Sequence, residues 1–222
     1  MRTLPLHAAL LAVLAAACGG DSLPPEDGGG LQGEPVLAPL ETGARWTYRV
    51  TDPLKGVFDK EVEVLGPSPV PESSGTAILV RDVEPTNEER AWLKVSGGYL
   101  VRDREEDRKD GVLVRATSWT PAAPKTLAVV AEAGFTARMT VSEREWHADG
   151  TTSIKDQVYA FAVVATDVPV TVPAGTYRCL QLERQRLDKV EPKRTYWLAP
   201  GVGKVREEGE RVEELVLYVP GA

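Results

Sequence analysis

Cysteine and histidine are scarce in this 222-residue chain, with 2 of each: Cys18 and Cys179, His7 and His147. So few thiols cannot build a disulfide framework, so a folded domain must rest on its hydrophobic core. After the first 17 residues only His147 remains, and a Ser-His-Asp triad would have to use it. The Gly-x-Ser-x-Gly elbow of α/β hydrolases is missing as well. Beyond the N-terminus no stretch approaches the roughly 20 apolar residues of a membrane-spanning helix. Alternating strand and helix patterns are also absent, which disfavours a parallel sheet. Basic charge is not in excess. The 26 Lys and Arg are scattered among 33 Asp and Glu, for a net charge of -7, which excludes nucleic acid as a general electrostatic partner.

The N-terminus does carry a pattern. Met1 and Arg2 open a short positive segment, Leu4 to Leu14 is mostly apolar, and Ala15-Ala16-Ala17-Cys18 closes it. At roughly ten residues the apolar part is too short to span a bilayer. The junction resembles the bacterial lipobox, with Ala15 where leucine is usual. The resemblance implies that residues 1–17 are a signal peptide, cleaved to leave Cys18 as an N-terminus bearing acyl chains such as palmitate. Gly19, rather than Asp, implies the outer membrane, with the domain facing the periplasm. Each buried methylene contributes about 0.8 kcal/mol, and two or more chains hold stably where one binds reversibly. With Cys18 acylated, Cys179 has no disulfide partner and reads as a small buried apolar residue.

Residues 18–35 are rich in Gly, Pro and acid, with little to bury, and read as a tether. From 36 to 222 the patterns are those of one β-rich domain. Trp46, Tyr48 and Val50 alternate with Arg45, Thr47 and Arg49, the period of a half-buried strand. Phe58, Val62 and Val64 alternate in the same way with Asp59, Glu61 and Glu63, and Gly66 to Pro69 closes that run. Further strands are expected over Thr76–Val83, Glu89–Val95, Tyr99–Arg104 and Val112–Trp119, the last entered through an Asp110-Gly111 turn. Residues 120–125 read as a loop, and more strands follow near 126–131, 134–147, 151–166, 168–172, 176–187, 193–199, 202–208 and 211–219. Pro85 to Leu93 is the one passage that could turn helical, and reads as a turn. Phe135, Ala137, Met139 and Val141 share a face that continues as Glu143, Glu145, His147 and Asp149. Either a bulge flips the strand near Ser142, or the strand runs beyond the core into solvent.

Several groups invite a chemical reading. Glu143, Glu145, His147 and Asp149 could hold a cation, but same-face neighbours lie about 6.5–7 Å apart, which is wide for one ion. A Cys179–His147 dyad is conceivable and nothing in the spacing supports it. Arg102 to Asp110 is an unbroken run of charge, expected as a solvated hairpin tip. Pro200 to Lys204 fails as a phosphate loop, because Leu198 stands where the first glycine belongs and Val205 follows the lysine. A type II turn explains it better. Trp46, Trp92, Trp119, Trp146 and Trp197 read as core, with the lining of a cavity as the alternative.

Three passages together carry a family resemblance. They are Gly43-Ala44-Arg45-Trp46-Thr47-Tyr48, Val172-Pro173-Ala174-Gly175-Thr176, and Tyr196-Trp197-Leu198-Ala199-Pro200-Gly201-Val202-Gly203-Lys204-Val205. Their order resembles exported bacterial proteins grouped as TapB-like, over about residues 36–219. The resemblance implies an antiparallel half-barrel similar in outline to periplasmic lipoprotein carriers, and brings no catalytic residues.

The expectation is therefore an all-β, antiparallel, strongly curved sheet, a half-barrel or open barrel, with little or no helix outside the signal peptide. It would serve as a membrane-anchored, non-enzymatic binding or assembly module, holding an apolar ligand or an envelope protein in its concave face. No catalytic residue, metal or cofactor is assigned. The alternatives are a structural accessory lipoprotein with no small-molecule ligand, and a hydrolase using His147.

Overall fold

The computed structural model describes residues 31–222. The expected signal peptide, Cys18 and the tether as far as residue 30 lie outside the described residues. Twelve strands follow in order: β1 (Arg45–Asp52), β2 (Gly56–Pro69), β3 (Thr76–Glu84), β4 (Asn87–Ser96), β5 (Tyr99–Lys109) and β6 (Val112–Leu127), then β7 (Thr136–His147), β8 (Thr152–Val172), β9 (Gly175–Arg186), β10 (Arg194–Ala199), β11 (Gly203–Glu208) and β12 (Val212–Val219). No helix occurs among the described residues.

Each strand pairs antiparallel with the next, and β1 also pairs with β12, from Arg45↔Val219 to Thr51↔Val212. The sheet is thus a closed barrel, not the half-barrel or open barrel expected from sequence. Closure is the pairing of the two chain ends, and it removes both free edges. The outer wall is charged. Glu63 on β2 bridges Arg45 at 2.6 Å and Arg81 at 2.7 Å across three adjacent strands. Such a wall differs from the outward apolar band of a membrane-spanning barrel.

The up-and-down order gives the barrel two ends. The near end carries the β2–β3, β4–β5, β6–β7, β8–β9 and β10–β11 connections and both ends of the described chain. The far end carries the other turns. Residues 31–44 cross the near end as a strap. Leu37 N–H donates to the Ala128 carbonyl at 2.8 Å, Gly201 N–H to Val36 at 2.7 Å, and Gly43 N–H to Val64 at 2.8 Å. Leu31 packs on the core beside Gly98, where the chain passes so close that an added Cβ would lie 2.8 Å from the Leu31 carbonyl oxygen. Leu37 is 2% exposed, among Leu127, Leu182 and Leu198. Leu37→Ala is expected to lower stability by about 2 kcal/mol, the low end for a buried leucine because a strap can settle into the void. Urea unfolding measures this, and an unchanged midpoint would mean that the strap is not part of the cooperative unit.

Three expectations are corrected by the register. First, Arg102–Asp110 is not a solvated tip. It is mostly β5, and Arg104, Glu105 and Glu106 are each 6% exposed. Glu105 and Asp107 gather with Glu89, while Arg104 and Glu106 pair with each other at 3.2 Å. Second, residues 120–125 belong to β6, which bends there and resumes pairing with β5 at Ala123. Third, β7 has no bulge at Ser142. It pairs with β8 without a break from Thr136↔Ala162 to Trp146↔Thr152. Val141 (2% exposed) and Glu143 (7%) lie on the same face, so that face remains in the interior and the interior itself turns polar. Of Pro85 to Leu93, only Pro85 and Thr86 form a turn; Asn87 to Leu93 already belong to β4, and none of the passage is helical.

Candidate functional site

The interior is not filled solidly. A cavity of about 290 Å³ lies inside the barrel. Towards the near end its wall is apolar, formed by Leu37, Leu40, Val64, Val80, Leu93 and Leu198. Trp46 and Tyr48 of β1 add their ring faces and direct their polar atoms away. Trp46 Nε1–H donates to the Val202 carbonyl at 2.7 Å, and Tyr48 Oη–H to the Lys204 carbonyl at 2.9 Å. The first bond ties two of the three family-like motifs together, since Val202 stands in the β10–β11 turn. That turn closes by a Val202 N–H to Ala199 bond of 3.1 Å, with Gly201 at φ 74, as a type II turn requires.

Two groups of charge form the rest of the wall. The first centres on Glu213 of β12, whose side chain is 2% exposed. Its oxygens lie 2.8 Å from Lys60 Nζ, 2.5 Å from Lys204 Nζ and 2.6 Å from an Arg211 nitrogen. Each cation has a second acid: Asp82 at 3.2 Å from Lys60, Glu207 at 2.7 Å from Lys204, and Glu84 at 2.5 Å from Arg211. Glu207 and Glu213 face each other across β11 and β12. Lys204 bridges them, and its ammonium also lies 4.8 Å from the Tyr48 ring centroid. Burial is the largest single influence on Glu213 and opposes its charge. Lys204, Lys60 and Arg211 together outweigh it and hold the carboxyl well below the usual carboxylate range.

The second group is less well matched. Between Leu100↔Thr126 and Val101↔Pro124 the β5–β6 register skips Lys125, making it the extra residue of a bulge. Bulges re-aim side chains and free backbone groups. Lys125 lines the cavity, and its carbonyl accepts a bond from Arg184 Nη1 at 3.0 Å, reaching over from β9. The Arg184 guanidinium lies 5.5 Å from the Tyr196 ring centroid and 5.8 Å from that of Tyr159. Among the described residues no carboxylate lies within ion-pair distance of Lys125 or Arg184. Arg102, also on the wall, pairs with Glu105 and stacks 4.2 Å from the Trp119 ring centroid. Burial, the largest influence on Lys125, makes its charge harder to hold, and Glu89 works against that. Glu89 is shared, because Lys125 and Arg102 both act to keep its carboxyl ionised against burial.

The residues singled out from sequence lie elsewhere and do not converge. His147 ends β7 at the far end, its Nε2 2.8 Å from Glu145. Glu143 accepts Trp119 Nε1–H at 3.0 Å and bonds Gln157 and Lys155. Asp149 caps its own turn through Thr151 N–H at 2.9 Å. Cys179 is 1% exposed in an apolar cluster with Val170, Val172 and Val205, and burial pushes its thiol up to about 11. His147 and Cys179 lie beside opposite ends of the 21-residue β8, which removes the dyad. The acids that do meet are Glu89, Glu105 and Asp107, with ligand atoms within 4.8 Å of one another. Arg115, 2.6 Å from Asp107 and 3.8 Å from Glu105, and Arg102 beside Glu105 match them as an ion-pair network. Of the tryptophans, Trp46 lines the cavity, Trp92 and Trp119 are core, and Trp146 is on the outer face.

Lys60 had a sequence signal, since it shares its parity with Phe58, Val62 and Val64. Lys125 had none, because a bulge has no local signature in that stretch.

The structure thus defines a closed up-and-down β-barrel with an internal cavity, apolar at one end and charged at the other. Two solved structures are similar to it. One is a presumed lipoprotein from Parabacteroides distasonis, at 14% identity and TM-score 0.49, covering 85% of this chain and 100% of that one. The other is a presumed exported protein with a YmcC-like fold from Bacteroides fragilis, at 13% identity and TM-score 0.46, covering 83% of this chain and 99% of that one. No protein-family model matches the chain, and no curated protein matches it. The resemblance to TapB-like proteins therefore rests on its three motifs alone.

Proposed function

We propose that this chain is a lipid-anchored lipoprotein of the bacterial envelope whose barrel holds a small ligand without chemically changing it. The carrying observation is the cavity of about 290 Å³, close to the lower bound of about 300 Å³ for small-molecule sites. A closed wall admits a small molecule and leaves no concave face for a partner protein, so the binding role narrows to the former. Its half-charged lining also departs from the continuously apolar cavity that a purely apolar ligand would want. Anchoring through Cys18, and location at the outer membrane facing the periplasm, are supported by the lipobox-like junction and Gly19.

Native mass spectrometry of the intact protein, gently extracted from its own membrane, tests this. The expected spectrum shows the acylated chain plus one equivalent of a small molecule that is lost on denaturation. A protein found only at its bare acylated mass, with no added stability on titration with envelope extract, would sink the reading.

A further inference from the structure

We infer that the ligand is a single-tailed amphiphile with an anionic head, carboxylate or phosphate, seated between Lys125 and Arg184, its tail lying against Leu40, Val64, Val80 and Leu93. This rests on the ligand-binding reading above and adds the chemical class.

In a low-dielectric interior an uncompensated cation is expensive, and natural barrels either pair such charges or use them. Lys60, Lys204 and Arg211 are each paired twice, so they are fully accounted for. Lys125 feels Glu89 and, less strongly, Asp82, but neither lies within ion-pair distance of it and both are shared, Glu89 with Arg102 and Asp82 with Lys60; Arg184 has no carboxylate within ion-pair distance. Lys125, the extra residue of the bulge, and Arg184, held by the Lys125 carbonyl, both line the cavity. Two cationic side chains on one cavity wall, neither with a carboxylate at ion-pair distance, suit an anion with two or more oxygens. Tyr159 and Tyr196 hold the Arg184 guanidinium by their rings and the Lys125 carbonyl takes a bond from Nη1, which leaves the other N–H groups as donors for a ligand.

Size sets the tail. The cavity of about 290 Å³ lies at the small end of the range for ligand sites. That suits one medium-length chain and excludes a two-tailed lipid held whole inside. The apolar wall shares the cavity with the cations, so head and tail are satisfied together.

The test is titration calorimetry on the secreted full chain carrying Cys18→Ser, which has no acyl groups and needs no detergent. Decanoate, decyl phosphate, decanol and decyltrimethylammonium are compared below their micelle concentrations, with emission from Trp46 on the cavity wall as a second readout. Decanoate or decyl phosphate is expected to bind about ten-fold or more tighter than decanol, the scale of one charge-assisted hydrogen bond. Whichever of the two binds better identifies the head. Lys125→Met should bring the anion down to the affinity of the alcohol and leave decanol unchanged, while Lys125→Arg should keep the preference. If anion and alcohol bind the parent chain equally, the anionic head is wrong and the binding barrel survives. If none of the four binds, the binding barrel falls and the head with it. Should Lys125→Met fail to fold by circular dichroism, the parent chain decides: tighter binding of decyltrimethylammonium than of decanoate overturns the inference.

Discussion

Glu213→Gln should lower the unfolding free energy of the barrel by about 3 kcal/mol, which for a chain of this size moves the melting temperature down by roughly 6–12 °C. The reason is that one buried carboxylate answers three cations. Removing one partner of a buried pair typically costs about 3–5 kcal/mol, since the other charge stays desolvated. Here Lys60, Lys204 and Arg211 each keep a second acid, and the repulsion between Glu207 and Glu213 disappears, which places the effect at the low end. Glu63→Gln is the control. Glu63 pairs with Arg45 and Arg81 on the outer wall, where water screens the interaction, and the change should stay below about 1 kcal/mol. Equal effects at the two positions would refute the buried network as a source of stability.

The same network fixes a pH dependence. Glu213 is held well below the usual carboxylate range in the folded barrel, whereas the unfolded chain protonates it near about 4.3. Protons therefore bind the unfolded state first as pH falls. The contribution is fully present above the unfolded value and is lost as pH drops through the folded one. The stability gap between the parent chain and Glu213→Gln should be flat from neutral pH down to about 5 and then close at lower pH. A gap that widens below pH 5 would contradict the assignment.

How much of this was legible in sequence depends on what each element buries. β1 was readable almost to the residue, because Trp46, Tyr48 and Val50 obey the rule that inward means apolar, and β3 was found over Thr76–Val83 from its β-branched run even though its inward Asp82 and Glu84 break that rule. β5 broke that rule. Its charges are matched by Arg115, Glu89 and Trp119, which lie on other strands and cannot be found along the chain. The continuation of the β7 face from Val141 to Glu143 failed for the same cause. Polar residues were taken as a sign of solvent when they signalled a polar interior. Closure was invisible because Arg45 and Val219 are at opposite ends of the domain, and hydrophobic period carries no information on which strands meet. The cavity shares that fate, since Lys125 faces it only through a one-residue slip of register.

Cys18→Ser should shift the protein from the membrane fraction to the soluble fraction almost completely. Nothing else on the described molecule can take the place of acyl chains. The outer wall presents Arg45, Glu63 and Arg81, and its exposed apolar residues, such as Leu54, Ile154 and Val190, lie in separate turns and strands, without a continuous band. One acyl chain gives only marginal binding, with an association constant of about 10⁴ M⁻¹, so the two or more chains implied by a lipobox are what make attachment stable. The anchor also sets an orientation. Leu31 sits at the near end beside Gly98, and twelve residues, thirteen Cα-to-Cα steps, separate it from Cys18. Fully extended they reach at most about 45 Å. With Cys18 acylated as proposed, the strapped, apolar end of the barrel is the end nearer the bilayer, and the far end, with Glu84, Asn87 and Arg211 on the cavity wall, can face away from it. Fractionation of cells expressing the two forms reads the first claim. A serine variant that stays in the membrane fraction after a high-salt wash would show that some other surface of this barrel binds the membrane, and both the anchor and the orientation derived from it would have to be given up.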